Sequence, residues 1–243
     1  MLSFRRLPDL VASGPEQMAR DEALLESAAE RGAAAFRFYQ WSEPTWSLGY
    51  FQASADRGDR TPHAWVRRAS GGAGILHHAP HELTYSVAIP AAAAIVPKGE
   101  NWICRVHYAL RDYLKRMGVP ARSVVCGEEQ KLGEFLCFLH HTPGDLVVAG
   151  SKVVGSAQRK LRGAILQHGT ILLTRSPFTP ELPGIADSGR TIDAEEMKTG
   201  FLDELSHQLG WRFKSGNWTE VETTLARRIE REKYRAKDWN ERR

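Results

Sequence analysis

With 243 residues and 42% hydrophobic side chains, the chain is long enough to bury one sizeable core and short for two. A formal charge of +4, with basic residues crowding the last third, suits an acidic protein partner as well as nucleic acid and selects neither. Cys104, Cys126 and Cys137 are too few and too irregular for a disulfide framework or a zinc site, and no apolar run approaches a membrane span.

The opening MLSFRRLPDLVASGPEQ has no apolar stretch ending in a small-residue cleavage site, so a cytoplasmic protein is expected. Ser13-Gly14-Pro15-Glu16 predicts a capping box and a helix start, with Met18, Glu22, Leu25 and Ala29 on one face and Gly32 as the stop. Phe36 to Trp41 predicts a strand, and Trp46 to Phe51 its hairpin partner across Ser42 to Thr45. Ala53 to His63 reads as a loop or short helix, and Trp65 to Arg68 starts another strand.

Three glycines, Gly71, Gly72 and Gly74, then fall within four residues, framed by Arg68 and His77. Such a loop lets backbone approach a ligand closely and offers N–H groups to a phosphate, carboxylate or carbonyl oxygen. A plain turn has the same composition. No Gly-Lys-Ser/Thr follows and no GxGxxG is present, which excludes the two common nucleotide loops. His77, His78 and His81 lack acidic or thiol companions at metal-binding spacing.

Leu83, Tyr85, Val87 and Ile89 alternate with small or polar residues, as in a half-buried strand. Glu100 to Met117 predicts an amphipathic helix with Ile103, His107, Leu110, Leu114 and Met117 on one face and Gly118 past its end. Cys104 lies beside that stripe. Ser123 to Cys126 reads as a short strand burying Cys126, Glu128 to Glu134 as a mobile loop, and Phe135 to Leu139 as another strand, with His140 and His141 exposed beyond it. Asp193 to Leu209 and Thr219 to Tyr234 read as helices, the second largely solvated.

The stretch from Asp145 to Leu173 organises the rest. Val147-Val148, Val153-Val154, Ile165-Leu166 and Ile171-Leu172 read as buried strands, with Gly150-Ser151 as a tight turn. Lys152 stands among them. Alternation allows it to face outward; burial would need a partner, since desolvating an ammonium costs several kcal/mol. Strands in the middle and helices at the ends predict an α+β fold, mixed sheets flanked by helices, as a single domain over residues 1–243.

Five segments in register resemble the cofactor-transferase superfamily of lipoate–protein ligases, octanoyltransferases and biotin–protein ligases. They are Met18 to Leu25; Arg37 to Trp41 with Ser47 to Gln52; Arg67 to His77 with Glu82 to Ser86; Lys152 to Arg159 with Leu166 to Thr170; and Lys233-Tyr234 with Trp239-Asn240. The resemblance implies a biotin/lipoyl ligase-like catalytic domain. Its Gly-rich and lysine motifs imply substrate contacts at Arg68, Ser70, Gly71, Gly72, His77, Gly155, Ser156, Ala157, His168 and Gly169. After Gly71-Gly72 the family often has Gly or Arg followed by Ala, where this chain has Ala73-Gly74.

Two chemistries coexist in that superfamily. Ligases use ATP and magnesium to activate lipoate before passing it to a carrier lysine. One octanoyltransferase branch takes the acyl group from acyl carrier protein onto its own cysteine and needs no cofactor. This chain is similar to that branch in its Cys137-Phe138 pair, fifteen positions before Lys152, and in lacking an Asn before Asp145-Leu146. The resemblance therefore implies Cys137 as nucleophile and Lys152 as its activator, with acyl carrier protein as donor and a lipoyl domain or glycine-cleavage H-type protein as acceptor. Neither nucleic acid nor membrane enters. A thiolate suits such a relay because it attacks a thioester at nearly equal energy and leaves readily when an amine attacks. An ATP-dependent ligase, an amidotransferase working between carriers and a non-catalytic binder of acylated carriers are the alternatives.

Overall fold

The computed structural model describes residues 2–58, 63–191 and 193–243. Strands β1 (Ser3–Arg6) and β2 (Leu10–Ala12) lead into helix α1 (Gly14–Arg31). Then come β3 (Ala35–Trp41), β4 (Thr45–Leu48), β5 (Ala64–Arg67), β6 (Ile75–His77), β7 (Glu82–Ile89) and α2 (Trp102–Arg116). Three two-residue strands follow: β8 (Arg122–Ser123), β9 (Gln130–Lys131) and β10 (His140–His141). The antiparallel meander of β11 (Leu146–Val148), β12 (Ser151–Leu161) and β13 (Ala164–Leu172) comes next. Finally α3 (Ala194–Leu209), β14 (Arg212–Ser215), α4 (Glu220–Ile229) and α5 (Lys237–Asn240) close the described chain.

Among the described residues the main sheet runs β14-β1-β3-β7-β13-β12-β11-β8, with β2 paired to β3; a smaller sheet runs β5-β4-β6 and β9 pairs β10. This is the mixed α+β architecture expected. Helices cover both faces of the main sheet. Leu83, Tyr85, Val87 and Ile89 of β7 point into a large core with Val106 and Leu110 of α2 and Phe201 of α3. On the opposite face Ala88, Ala164 and Leu166 meet Leu24, Leu25 and Ala28 of α1. Because both faces are covered, every residue of β7 is buried, not only the alternate ones. Thr84 and Ser86 are thereby forced to find partners inside.

Several local expectations hold. Pro15 lies in the first turn of α1, and Gly32 ends the helix in the left-handed region at φ 66°. Asp193 caps α3, and Thr219 with Glu222 forms a capping box on α4. The expected capping box does not form: Ser13 makes no side-chain cap, and Glu16 pairs with Arg20 one helical turn on. The turn between β11 and β12 is Ala149-Gly150, one residue earlier than expected, with both φ values positive.

Other expectations are corrected. β3 and β4 are not a hairpin: β3 pairs β7 and β1 in the main sheet, whereas β4 pairs β5 and β6 in the small one. Phe135 to Leu139 is not a strand; Cys137–Leu139 is a 3-10 turn. The strand near Ser123 ends at that residue, and Cys126 is exposed. Residues 128–134 contain β9, which pairs with β10, and His141 is buried beneath it. α4 is not merely solvated: Glu222, Ala226 and Ile229 are buried against neighbouring elements, and the helix continues as a π turn over Glu230–Tyr234. Within 53–63, Ser54–Arg57 is a 3-10 turn, and residues 59–62 lie outside those described.

Candidate active site

Lys152 is buried, at 4% exposure. Its Nζ lies 2.8 Å from Asp145 Oδ2 and 3.1 Å from the His140 carbonyl oxygen. The same nitrogen lies 3.4 Å from the Cys137 carbonyl oxygen and 3.8 Å from Cys137 Sγ. Asp145 is fixed in turn by the Thr142 backbone N–H and hydroxyl, which donate to Oδ2 at 2.8 and 2.9 Å. A buried ammonium with a carboxylate and two carbonyls around it meets the condition for taking a charge out of water.

Backbone geometry puts it there. The β11–β12 register shifts between Leu146 and Val147, a bulge opposite Lys152 to Val154. Val153 and Val154 both reach the main core, which strict alternation forbids and a bulge permits. Gly155 then leaves room for the lysine: a Cβ there would lie 2.5 Å from Lys152 Cε and 2.9 Å from Nζ.

Cys137 is placed by the Gly-rich loop. Gly74 donates to Phe135 O at 2.9 Å and its carbonyl accepts from Cys137 N at 2.7 Å. The Phe135 ring occupies the position of an absent Gly74 Cβ. Ala73-Gly74, the departure from the family's loop, is thus the point where loop and cysteine segment lock together. Arg68 spans the loop from below, donating at 2.8 Å to the carbonyls of Ser47, Gly71 and Ala73. Arg67 is held by Asn240, whose Oδ1 accepts its N–H at 2.9 Å, and its carbonyl accepts from Trp239 Nε1 at 2.8 Å.

A cavity of about 290 Å³ opens between these pieces, at the small end of the ligand-pocket range. Met18, Tyr39, Trp41, Ile75 and Phe138 supply apolar wall, and Cys137 stands on its edge. His77 is fixed by stacking on Trp41, centroids 3.9 Å apart, and by Glu82 Oε1 at 2.8 Å from Nδ1. Ser156 is tied to Tyr85 OH at 2.7 Å and to His107 Nε2 at 2.6 Å. His107 Nδ1 donates to Gly144 O, and burial holds this imidazole below its usual pKa despite that bond.

Of the residues expected at the site, Arg68, Gly71, Gly72, His77, Cys137, Gly155, Ser156, Ala157, His168 and Gly169 all border this cavity. Lys152 does not line it; its ammonium stands 3.8 Å from the sulfur of Cys137, which does. Ser70 does not line it: its hydroxyl faces a second cavity of about 100 Å³ and bonds His168 Nε2 at 2.5 Å. Asp145, Asp21 and Arg37 were not anticipated. The one signal for Arg37 was a charge inside an aromatic strand; for Asp145, a carboxylate heading the Val-Val run.

The lipoyl protein ligase A/B catalytic domain model matches residues 13–179. The octanoyltransferase LipM of Carboxydothermus hydrogenoformans is 31% identical, covering 98% of each chain. That of Symbiobacterium thermophilum is 32% identical over 93% of this chain and 94% of its own. Among solved structures, a lipoate protein ligase from T. acidophilum with bound lipoic acid superposes with a TM-score of 0.81 at 20% identity, covering 100% of both chains. Lipoate-protein ligase A bound with ATP gives 0.79 at 21%, covering 99% of both. At such identities the solved structures establish the shared fold, while the family model and the full-length relatives establish descent: this chain belongs to the lipoyl protein ligase A/B catalytic domain family.

Proposed function

We propose that this chain is an acyltransferase of protein lipoylation that moves an octanoyl or lipoyl group through a Cys137 thioester to the lysine of a lipoyl carrier domain. The observation carrying this reading is the 3.8 Å approach of Lys152 Nζ to Cys137 Sγ at the edge of an apolar cavity. Full-length relatives named octanoyltransferase support it. In the first half-reaction the Cys137 thiolate, faced by the Lys152 ammonium, attacks the donor thioester; the C–S bond to Cys137 forms, the C–S bond to the donor breaks, and the donor leaves as a thiolate that takes its proton from solvent. The acyl tail occupies the cavity beside Met18, Tyr39 and Ile75. Gly71 and Gly72 with Lys152 hold the carbonyl oxygen, and Arg68, His77, Gly155, Ser156, Ala157, His168 and Gly169 shape the walls, with Ser70 behind them.

The donor in this reading is acyl carrier protein and the acceptor a lipoyl domain or H-type protein, with residues 1–243 acting as one catalytic domain and no cofactor needed. The +4 charge suits acidic carriers of both kinds. No described helix is long and apolar enough to cross a membrane. Incubation with octanoyl-acyl carrier protein without ATP, followed by intact-mass and peptide measurement, tests the reading. An octanoyl adduct on Cys137 that hydroxylamine removes supports it. No adduct, with lipoylation of a carrier domain only when ATP and magnesium are present, makes the chain a ligase instead.

A further inference from the structure

Amide formation leaves a proton to be placed. A carrier lysine arrives as an ammonium, since its ordinary pKa is about 10.4, and an ammonium has no lone pair with which to attack a thioester. Lys152 is poorly set to take that proton: it is ion-paired with Asp145 at 2.8 Å and points its donors at His140 O and Cys137. A different group faces the cavity. His168 Nδ1 lies 3.0 Å from Asp21 Oδ2, and its Nε2 lies 2.5 Å from Ser70 Oγ. Asp21 is itself clamped, with Arg37 at 2.6 Å and Ser86 Oγ at 2.7 Å on Oδ1 and Tyr39 OH at 3.1 Å on Oδ2.

This polarity fixes the tautomer. The carboxylate accepts from Nδ1–H, so Nε2 carries the lone pair and accepts from the Ser70 hydroxyl. Serine, imidazole and aspartate thus stand in the order of a hydroxyl–base–orienter relay. Its imidazole borders two cavities: the one edged by Cys137, and the smaller one onto which Ser70 opens. Glu22 and Glu26, with Lys233 and Arg159, are the charged groups around that second cavity beside Asp21, and its 100 Å³ suits a single unbranched side chain.

Resting on the thioester reading above, we infer that Ser70 and His168, positioned by Asp21, form the proton relay that deprotonates the acceptor lysine in the second half-reaction, with the second cavity as its entry. Ser70 passes its hydroxyl proton to His168 Nε2 and takes one from the ammonium. The neutral amine then attacks the Cys137 thioester; the C–N bond forms and the C–S bond breaks. A second N–H proton ends on the departing sulfur, restoring the thiol, and the imidazolium returns its proton to solvent.

Hydroxylamine tests this because it is uncharged at neutral pH and needs no base before attacking. Acyl-Cys137 enzyme is prepared for the wild type, Ser70→Ala and Asp21→Asn, and its decay is timed with a lipoyl domain and, separately, with hydroxylamine. At pH 7 the ratio of lysine rate to hydroxylamine rate should fall about 100-fold in both variants, the usual scale of a lost general base. Raising the pH toward 10 should restore it. Comparing the two nucleophiles within one variant cancels any general damage to the fold, and Ser70→Ala leaves the Asp21–Arg37 pair intact. Unchanged ratios in Ser70→Ala and Asp21→Asn overturn the relay alone. A wild type that never forms the Cys137 thioester overturns both the relay and the reading beneath it.

Discussion

Among the described residues two aspartates are buried in pairs with an arginine or a lysine, and the pairs differ in what their cations have left over. Every nitrogen of the Arg37 guanidinium is engaged by Asp21, Gln17 or Ser86, and the Tyr39 ring lies 4.0 Å from it. Lys152 is held by one carboxylate and by carbonyls, which leaves its charge 3.8 Å from a cysteine sulfur on a cavity edge. A planar fork with five donors suits the interior of a sheet–helix layer, whereas a point charge on a flexible stem suits a reacting centre. The difference shows how one chemical pairing serves the fold at one place and is open to chemistry at another.

Breaking the two sites should therefore give different phenotypes. Cys137→Ala should abolish acyl transfer while thermal unfolding stays within a degree or two of the wild type, since the residue sits at the cavity edge; normal transfer would remove Cys137 from the chemistry. Lys152→Met should lower acylation of Cys137 by about 100-fold or more, in the range seen when one charge-stabilising donor is lost. Lys152→Met also strands a buried carboxylate, with the Thr142 N–H and hydroxyl as Asp145's remaining partners, so its urea midpoint falls as well and the rate is read on the folded protein.

Arg37→Met should cost stability while removing no side chain from the lining of the cavity edged by Cys137. Removing one member of a buried pair strands the other, at about 3–5 kcal/mol. Equilibrium urea unfolding reads this directly, and an unchanged midpoint would mean that Asp21 is satisfied by its hydroxyl and imidazole partners alone.

Acid titration reads the Asp21 site directly. Burial by itself would raise the Asp21 carboxyl, but Arg37 and His168 outweigh it and hold the group at about 2 against an ordinary 3.8. A carboxyl lowered in the fold stabilises it fully above the unfolded value and loses that contribution as pH falls through about 2. The amount is about 2 kcal/mol, and it should vanish from the stability–pH curve of Asp21→Asn. Gly155→Ala is the mildest change: the new methyl displaces the lysine stem, and about a tenfold loss of acylation with little change in unfolding is expected.

Local patterns made much of this legible. The helices starting near Gly14 and Asp193 end at Gly32 and Gly210, where the chain turns left-handed, and Trp102–Arg116 follows its apolar stripe. Those features depend on residues one to four positions apart. Strand pairing does not, which is why β3 and β4, so plausible as a hairpin, belong to different sheets. The same limit explains Phe135 to Leu139, whose strand-like composition is overridden by the two backbone bonds that Gly74 makes with it.

Sequence alone therefore determined which residues the family resemblance singles out: a cysteine, a lysine fifteen positions later and a glycine cluster. Tertiary structure alone decided how they meet. A bulge in β12 turns Lys152 toward a turn that the Gly-rich loop pins in place. Asp21 meets His168 across 147 positions. Residues that far apart share no local pattern, and only closure of the sheet under α1, with its demand that every buried polar group find a partner, brings them within hydrogen-bond reach.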